Sequence, residues 1–475
     1  MKRMFFFFFC LAPFALGGCF NLSPDYAPPE MAGGMPVAFK EDKGWQLARP
    51  ADSLNRGRWW SVFQEPELDG LMAGLERANQ NIAVAAANLR QARAQIASAR
   101  SALFPFVSAP ASVSRQGGEA GPSSARWSYG ASAQWEISFW NAVPALEAAK
   151  AMAEATAADF ATMRLSMQAD LAQAFFELRA LDGQIALYES TISTYEAAVK
   201  LTGSQVKHGL VTRVDLDQAQ TQLASAQAQL AALMRRRAEY EHGIAILVGR
   251  MPSSFTLARG NLKASIPGIP AALPASLLER RPDVAAAERA VAAANQQIGM
   301  ARAAWLPSFT LGGDIIDQAL SWHGATLYTW SVGPSAALSL FEGGKRLAES
   351  ASAQAAYEAE VARYRQAVLD AVKDVEDNLS ALRWLEKEAE ARQRAVESSR
   401  SALRLAMSQY EGGLTTYLQV VNSQTTALTN ERSAIETQGA RLVATVNLIK
   451  ALGGGFSVRD LPALVNEPPR HGASK

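Results

Sequence analysis

The chain of 475 residues lacks several features that would indicate common functions. It has two cysteines, four scattered histidines and a net charge of +1. This even charge balance gives no support for binding a nucleic acid. The sequence has no H-E-x-x-H or G-x-S-x-G motif and no glycine-rich phosphate loop, so it predicts no enzyme, no metal site and no cofactor. The basic run Arg235-Arg236-Arg237 is too short to change this, and we expect it to be a solvated helix face.

Beyond the N-terminus, the chain also lacks any run of about 18 apolar residues, so helical membrane spans are not expected. The N-terminus itself, MKRMFFFFFCLAPFALGGC, has a basic start, a short apolar core and small residues before Cys19. This pattern indicates a secretory signal peptide over residues 1–18, and its end resembles a bacterial lipobox. We expect Cys19 to be the N-palmitoyl, S-diacylglycerol cysteine that begins a lipidated segment over 19–67. A plain cleaved signal with an incidental cysteine is the alternative.

What the chain does have is an internal repeat at a spacing of 202 to 204 residues. The matching segments are IASARSALFP (96–105) with IGMARAAWLP (298–307), WSYG (127–130) with WSVG (330–333), and SQVKHGLVT (204–212) with SQYEGGLTT (408–416). Order and spacing hold across tryptophan, glycine and proline landmarks, which chance similarity of alanine-rich helices does not readily give. The sequence therefore predicts repeat 1 over 68–260, a linker over 261–281, repeat 2 over 282–454 and a tail over 455–475.

Each repeat has the same predicted order of elements. A helix (68–104 or 282–304) comes first, followed by a β-hairpin at about 105–140 or 307–341, whose turns are predicted at 117–126 and 319–327. A long helical hairpin follows, over 142–250 or 343–452. Its first arm, 142–208 or 343–411, would be roughly 100 Å long at 1.5 Å per residue. Helices of this length are far outside the range of ordinary globular domains.

The strand WSYGASAQWEISFW (127–140) has apolar side chains at odd positions and mostly polar ones at even positions. Successive side chains of a strand point to opposite faces, so the strand is predicted to have one apolar and one polar face. In lipid an open sheet edge leaves unpaired backbone groups, so a spanning sheet must close on itself. We expect the odd face to meet lipid and the even face, with Gln134 and Glu136, to face a water-filled lumen.

Closure requires more strands than one chain supplies. Membrane barrels need about eight strands or more, and each chain provides four. A dimer would leave little room inside the barrel, whereas a trimer gives about twelve strands and space for a channel. The predicted fold class is a membrane α+β protein: a trimeric 12-stranded β-barrel continued by a 12-helix coiled-coil α-barrel. The alternative is a periplasmic coiled-coil lipoprotein that does not enter the membrane.

Several longer segments resemble the outer-membrane factor family of TolC-like and OprM-like exit ducts. They are RWWSVFQEPELDGLMAGLERAN (58–79), LLERRPDVAAAERAVAAANQQIGMARAAWLPSFTLGG (277–313), LSLFEGGKRLAE (338–349) and YEGGLTTYLQVVNSQ (410–424). The lipoprotein branch that serves resistance-nodulation-division (RND) pumps is the most similar. The resemblance implies a homotrimer in the outer membrane of a Gram-negative bacterium, anchored by lipid, with a periplasmic helical tunnel. It also implies a periplasmic adaptor and an inner-membrane RND-type transporter as partners.

The function that the resemblance implies is passive conduction of drugs or other toxic small molecules out of the cell. Export of a protein by a type I-like secretion system and efflux of metal ions are the alternatives. In the family, residues after the glycine-containing turns form a periplasmic gate. The matching positions are Thr212, Arg213, Asp215, Asp217, Tyr410, Thr415, Leu418, Gln419 and Asn422. Gln419 and Asn422 stand where acidic side chains are common, so Arg213, Asp215 and Asp217 are expected to carry the polar part of the latch.

Overall fold

The computed structural model describes residues 21–31, 34–36, 38–41, 58–118, 121–262, 266, 280–319, 326–456, 461 and 465. The predicted signal peptide and Cys19 lie outside the described residues, as do most of the predicted linker and tail. The helices are α1 (Pro66–Ala78), α2 (Gln80–Ser101), α3 (Phe139–Lys207), α4 (Arg213–Leu247), α5 (Pro282–Ala303), α6 (Lys345–Glu411) and α7 (Tyr417–Ala451). The strands are β1 (Phe106–Ser108), β2 (Ala111–Gly118), β3 (Gly121–Glu136), β4 (Ser308–Ala319) and β5 (Thr326–Ala337).

The prediction that repeat 1 begins with a single helix is wrong. The predicted helix over 68–104 is divided at Asn79 into α1 and α2. The Asn79 side chain caps α2 by accepting a hydrogen bond from the backbone N–H of Ile82 at 3.1 Å. Asparagine competes for backbone hydrogen bonds in this way, which favours helix starts over helix interiors. The Asn79 amide also donates to the carbonyl oxygen of Leu247, 2.8 Å away in the last turn of α4.

The two repeats are closed by equivalent contacts. Helix α5 begins after Arg281, the residue 202 positions beyond Asn79, and the Arg281 guanidinium donates to the carbonyl oxygen of Ala451 at 3.4 Å in α7. The residue before α2 in repeat 1 and before α5 in repeat 2 thus bonds to the end of the last helix of the same repeat. Ion pairs with Asp283 and Asp374 hold the buried Arg281 in place. Burial alone would lower its pKa, but these two carboxylates raise it overall.

The strands form one antiparallel sheet in the order β1, β3, β4, β5, and β2 also pairs with β3. Strands β1 and β2 keep one register along β3, since Val107 faces Ala133 and Val113 faces Trp127. They are therefore a single strand interrupted near Pro110, whose nitrogen has no hydrogen to donate. The predicted loop over 117–126 is too long, because pairing continues to Gly118 and Gly121.

The arms of the long helical hairpins are close to their predicted lengths. Helix α3 has 69 residues and α6 has 67, and each starts within three residues of its expected position. Among the described residues, no helix is both long and apolar enough to cross a membrane. Alanine and leucine side chains form the contacts between neighbouring helices, as expected for closely packed long helices.

The largest core lies where the N-terminal elements meet the middle of α3. Trp59 and Phe63 are buried there, and the Trp59 indole donates to the Gln168 side chain at 2.9 Å. Phe63 packs on Phe176 with ring centroids 4.8 Å apart. Aromatic side chains of this size contribute a large share of the burial energy of a core. This core fixes α1 and the short 3₁₀ helix Trp59–Phe63 against the outside of the long helix.

Candidate functional site: sheet faces and helix tips

The pairing register extends the alternation of apolar and polar side chains from β3 to the other strands of the sheet. Odd residues of β3 face odd residues of β4, as in Trp135 with Leu311, and odd residues of β4 face even residues of β5, as in Ile315 with Trp330. Directly opposite residues of an antiparallel pair lie on the same face. One face therefore collects Val107, Val113, Trp127, Trp135, Phe309, Leu311, Ile315, Trp330 and Val332. The sheet has one continuous apolar face.

The other face is polar and carries the predicted lumen residues Gln134 and Glu136, which are opposite Gly312 and Thr310. Hydroxyl groups on this face are bonded across strands. The Ser108 and Ser132 hydroxyls are 2.7 Å apart, and the Ser331 hydroxyl donates to Asp314 at 3.3 Å. Asp314 is an acidic member of this face that the sequence-based site prediction did not include. Its even position among apolar odd neighbours was the signal that could have identified it.

A few side chains depart from the two-faced pattern: Phe106, Ile316 and Leu327 lie on the polar face, and Arg115, Tyr129 and Asp317 lie on the apolar face. Tyr129 and Asp317 are directly opposite each other on the apolar face, and the tyrosine hydroxyl donates to the Asp317 carboxylate at 3.0 Å. Asp317 is two residues from the end of β4 at Ala319. A polar pair close to a strand end matches the position where aromatic girdles of membrane barrels meet the headgroups.

The helix tips lie at the opposite end of α3 and α6, and the two repeats build them alike. Gly209 and Gly413 have φ of 71° and 69°, and the backbone N–H of the residue after each glycine bonds back to the preceding helix. This is the usual left-handed end of a helix, for which glycine is favoured. The following leucines, Leu210 and Leu414, are 73% and 81% exposed. Each tip therefore presents an apolar side chain outward.

The gate candidates of repeat 1 make local contacts at the start of α4. The Asp215 carboxylate accepts hydrogen bonds from the backbone N–H and the hydroxyl of Thr212, at 3.0 and 2.8 Å. Asp215 is the third residue of α4, and with the N-cap residue Thr212 it forms a capping box at the start of this helix. Arg213 forms an exposed ion pair with Asp217 at 3.1 Å, one helical turn away. In this chain the four residues thus stabilise the start of α4.

The candidates of repeat 2 are divided between core and surface. Tyr410 donates to the Gln205 side chain at 3.1 Å and packs on the buried Tyr417, with ring centroids 5.4 Å apart. Burial and the nearby Asp215 carboxylate raise the pKa of the Tyr410 phenol, so it stays a neutral donor. Leu418, Gln419 and Asn422 are exposed, and Thr415 is half-buried. Tyr410 thus links the tips of α6 and α3.

The structure contains a buried cluster of charged residues from α1, α3 and α4 that the sequence analysis did not predict. Asp182 in α3 accepts hydrogen bonds from Arg179 at 2.7 Å and from Arg237 in α4 at 2.6 Å. Arg179 also pairs with Glu67 of α1. The expectation that the Arg235–Arg237 run is a solvated face is wrong for Arg237, which is largely buried. Successive residues of a helix point in different directions, and only the tertiary contact with α3 buries one of these arginines.

The described N-terminal segment is bound along α5. The Ser23 hydroxyl donates to Gln296 at 2.8 Å, and the Asn295 amide donates to the carbonyl oxygen of Pro24 at 2.8 Å. Arg302, near the end of α5, donates to the carbonyl oxygen of Leu22 at 3.3 Å. The start of this segment therefore lies beside the end of α5 that leads into strand β4.

Each repeat thus contributes strands to the two-faced sheet and one pair of very long helices. The sequence model of outer membrane efflux proteins matches residues 74–250 and again residues 273–454. The chain belongs to this family.

Relatives and solved structures agree with the assignment over nearly the whole chain. The pyoverdine export outer membrane protein OpmQ of Pseudomonas putida is 31% identical over 469 residues, covering 94% of this chain and 97% of OpmQ. The toluene efflux pump outer membrane protein TtgC of Pseudomonas putida is 29% identical, covering 93% and 94%. The cation efflux system protein CusC of Escherichia coli is 27% identical, covering 94% and 98%. The structure of the outer-membrane channel OprN superimposes with a TM-score of 0.82 at 27% identity, covering 91% of this chain and 99% of OprN.

The family defines the role of the two-faced sheet and the helical hairpins. The predicted fold class, a tandem repeat of strands and long helices that assembles as a trimeric channel, is confirmed. The protein is an outer-membrane efflux channel, the exit duct of a tripartite efflux pump. This family consists of channels rather than enzymes. The predicted location in the outer membrane is likewise confirmed.

Proposed function

We propose that three copies of this chain close into a 12-stranded barrel and a 12-helix tunnel that conduct small toxic molecules from an RND-type transporter to the exterior. The observation that carries this proposal is the separation of apolar from polar side chains, with few exceptions, across all the paired strands. A soluble sheet of this size would bury its apolar face, yet Trp330 and Val332 are 68% and 69% exposed in the single chain. Lipid is the solvent that such a face fits.

The polar face then lines the lumen. Most of its side chains are small, mainly serine, threonine and glycine, and its larger polar groups include Arg126, Gln134, Glu136, Asp314 and Gln318. A lining of small polar groups leaves space for water and for cargo of varied shape. The barrel itself would therefore select little among small solutes, and the choice of cargo would be made by the transporter.

The relatives support a generic duct. OpmQ is named for pyoverdine export, TtgC for toluene efflux and CusC for cation efflux, at identities of 27% to 31% to this chain. Pyoverdine, toluene and cations differ widely in size, charge and polarity, which supports a path that does not select its cargo. We assign small toxic molecules as the cargo class; metal ions and secreted proteins are the alternatives that the experiment below separates.

The tips are the proposed docking and gating end. Exposed Leu210 and Leu414 give each hairpin an apolar contact for the periplasmic adaptor, which must recognise all repeats of a closed ring. The gate would consist of the residues just beyond these turns. Thr212, Arg213, Asp215 and Asp217 supply charge in repeat 1, whereas Tyr410, Thr415, Leu418, Gln419 and Asn422 supply neutral groups in repeat 2. With this division the two tips would differ in charge, since repeat 1 has Arg213, Asp215 and Asp217 after its turn and repeat 2 has only Glu411, before its turn.

Lipidation of Cys19 is part of the proposal. Cys19 is three residues before Leu22, which is bonded to Arg302 near the start of strand β4. Acyl chains at Cys19 would then enter the same membrane as the sheet and would add apolar anchorage. We expect Cys19→Ala to impair processing or sorting more than pore formation by the purified trimer.

The function is tested in cells and in planar bilayers. A deletion strain should become hypersensitive to drugs, dyes or solvents, and the wild-type gene should restore resistance. Hypersensitivity confined to metals, or a secreted protein missing from the medium, would support an alternative cargo. A strain with no change on any of these panels would contradict the efflux assignment.

For the gate, purified trimers carrying Arg213→Ala with Asp215→Ala should open more often in single-channel recordings than the wild type. Arg392→Ala is the matched control, because it removes a comparable exposed helical ion pair, with Glu388 at 3.2 Å, away from the tips. Equal open probability in the wild type and the tip variant would exclude a gating role for these two residues.

A further inference from the structure

The two repeats pack on each other inside one chain through α3 and α7. A Cβ placed on Gly439 of α7 would lie 2.9 Å from the Cβ of Ala180 in α3, and one on Gly183 would lie 3.4 Å from the Ile435 side chain. Farther along, the Gln173 amide donates to Asn447 at 2.7 Å. As residue numbers fall along α3 they rise along α7, so the two helices run antiparallel with small residues at their crossing.

The equivalent faces on the other two long helices are open in the single chain. Helices α4 and α7 both have 35 residues and begin 204 positions apart, and α3 and α6 end 204 positions apart. Ala180 of α3 therefore corresponds to Trp384 of α6, and Gly439 of α7 corresponds to Arg235 of α4. Ala180 and Gly439 are buried, whereas Trp384 is 56% exposed and the Arg235 side chain is 71% exposed.

The strand pairing of the sheet also supports inferring contacts between subunits from the equivalent contacts between repeats. Val113 faces Trp127 in repeat 1 and Ile315 faces Trp330 in repeat 2, which are equivalent pairs. The contact between repeats, in which Ala133 faces Gly313, then corresponds to Ala336 facing Ala111 of the partner subunit. This register joins even residues of β5 to odd residues of β2, which are the apolar sets of both strands. The open edges of the sheet therefore match with their faces aligned.

We propose that Trp384 of one subunit packs against the guanidinium of Arg235 of the partner subunit, where α6 crosses α4 of the next copy. The proposal rests on the trimeric duct proposed above. The Trp384 ring already attracts cations within its own chain, since Lys387 Nζ and the Arg383 guanidinium carbon lie over it, 4.8 and 5.2 Å from its centroid. An arginine over the face of an indole is the favoured form of cation–π contact.

Carboxylates pair with two of the three cations at this crossing, and Arg383 bonds to Glu41 at 2.6 Å. Arg235 is paired with Glu239 at 2.5 Å, one turn along α4, so a carboxylate arrives together with the guanidinium. Because Trp384 and Arg235 are larger than Ala180 and Gly439, helices α6 and α4 must stand farther apart than α3 and α7. The crossing between subunits is thus built from large side chains, and the crossing within a subunit from small ones.

The experiment uses pairs of cysteines in the full chain. Trimers with Trp384→Cys and Arg235→Cys, treated with a short bismaleimide, should run as covalent dimers and trimers on denaturing gels. The matched control, Gln173→Cys with Asn447→Cys, replaces a half-buried hydrogen-bonded pair of α3 and α7, so it should link within the chain and keep the monomer mass. Each single variant controls for other thiols and should give no covalent oligomer.

The outcomes separate the contact from the duct. If the double variant is trimeric in native electrophoresis but gives no covalent oligomer, the Trp384–Arg235 contact is wrong and the trimeric duct stands. If wild-type protein shows no trimer in native electrophoresis, the proposed trimeric duct is itself wrong. As a second measurement, Trp384→Leu should lower the temperature at which the trimer dissociates, and Trp384→Phe, which keeps an aromatic face, should lower it less. Equal shifts for both variants would overturn the cation–π contact.

Discussion

Gly249 abuts the backbone of Ala78 so closely that a Cβ on the glycine would lie 2.3 Å from the Ala78 carbonyl oxygen. The equivalent glycine of repeat 2, Gly453, has the same relationship to Arg280, at 2.0 Å. Both glycines have positive φ, 69° and 89°. The turn after the last helix of each repeat therefore packs against the carbonyl group two residues before α2 or α5, and this contact closes each repeat on itself.

Substitution at this contact should be far more harmful than the same substitution at a tip. Gly249→Ala combines left-handed backbone strain with a clash against a main-chain oxygen, and we expect it to lower the free energy of unfolding by about 3 kcal/mol. Gly209→Ala is the matched control, since Gly209 has φ of 71° and no atom within 4 Å of an added Cβ. It should cost about 1 kcal/mol. Chemical unfolding followed by helical circular dichroism measures both, and equal losses would contradict the role of the Ala78 contact.

Asp182 is predicted to be the central anion of the buried cluster. Asp182→Asn would leave the Arg179 and Arg237 guanidiniums without their shared carboxylate, and breaking a buried ion pair by removing one partner costs about 3–5 kcal/mol. The control is Glu189→Gln, which removes an exposed pair with Arg259. That change should cost about 1 kcal/mol or less. The same unfolding measurement applies, and losses of similar size would show that the cluster adds no special stability.

The orientation of the sheet can be tested at two adjacent residues. Glu136→Cys should react with a charged, membrane-impermeant maleimide when the trimer is embedded in lipid, because its side chain is expected to face water in the lumen. Trp135→Cys, on the opposite face, should be protected by lipid. Mass spectrometry of the labelled protein measures both. The reverse labelling pattern would mean that the strand is assigned inside out.

Ionisation of Tyr195 in α3 should lower the free energy of unfolding at alkaline pH. Its burial raises the pKa of the phenol to about 12, with smaller contributions from Tyr417 and Tyr188. Between about pH 10, where an unfolded tyrosine loses its proton, and about pH 12, the folded state keeps the proton and the unfolded state does not. Stability from this group is thus complete below about pH 10 and is lost as the pH rises toward about 12. In Tyr195→Phe the unfolding free energy should fall less steeply over this range; an unchanged slope would contradict the raised pKa.

Much of the fold could be predicted because its signals are periodic or repeated. Alternation in 127–140 defined the two faces of β3, and the matching segments near 204–212 and 408–416 located the reversal of each helical hairpin. The break at Asn79 was missed, because an asparagine within an alanine-rich stretch does not show by itself that its side chain will cap a helix. The exact strand ends near Gly118 and Gly121 were missed for a similar reason, since glycine and serine also fit a loop.

The candidate site was less predictable. The sequence indicated which residues follow the turns, but only the structure shows that Asp215 is bonded to Thr212 and Arg213 to Asp217. It also shows that Tyr410 is bonded to Gln205, which is 205 residues away in the chain. A motif can identify a position at a helix tip, but the bonds that a side chain makes there depend on which helices lie beside it.

The sequence by itself determined the tandem repeat, the two-faced strands and the great length of the helices, and it predicts lipid attachment at Cys19. Each of these features depends on neighbouring residues or on a fixed spacing along the chain, so it can be recognised without the tertiary structure. Only the tertiary structure decided which arginine of the Arg235–Arg237 run is buried, how Ser23 and Pro24 bind along α5, and how Gly249 closes the repeat on Ala78. These contacts join residues 55 to 273 positions apart, and their energies depend on burial and distance that no local pattern contains.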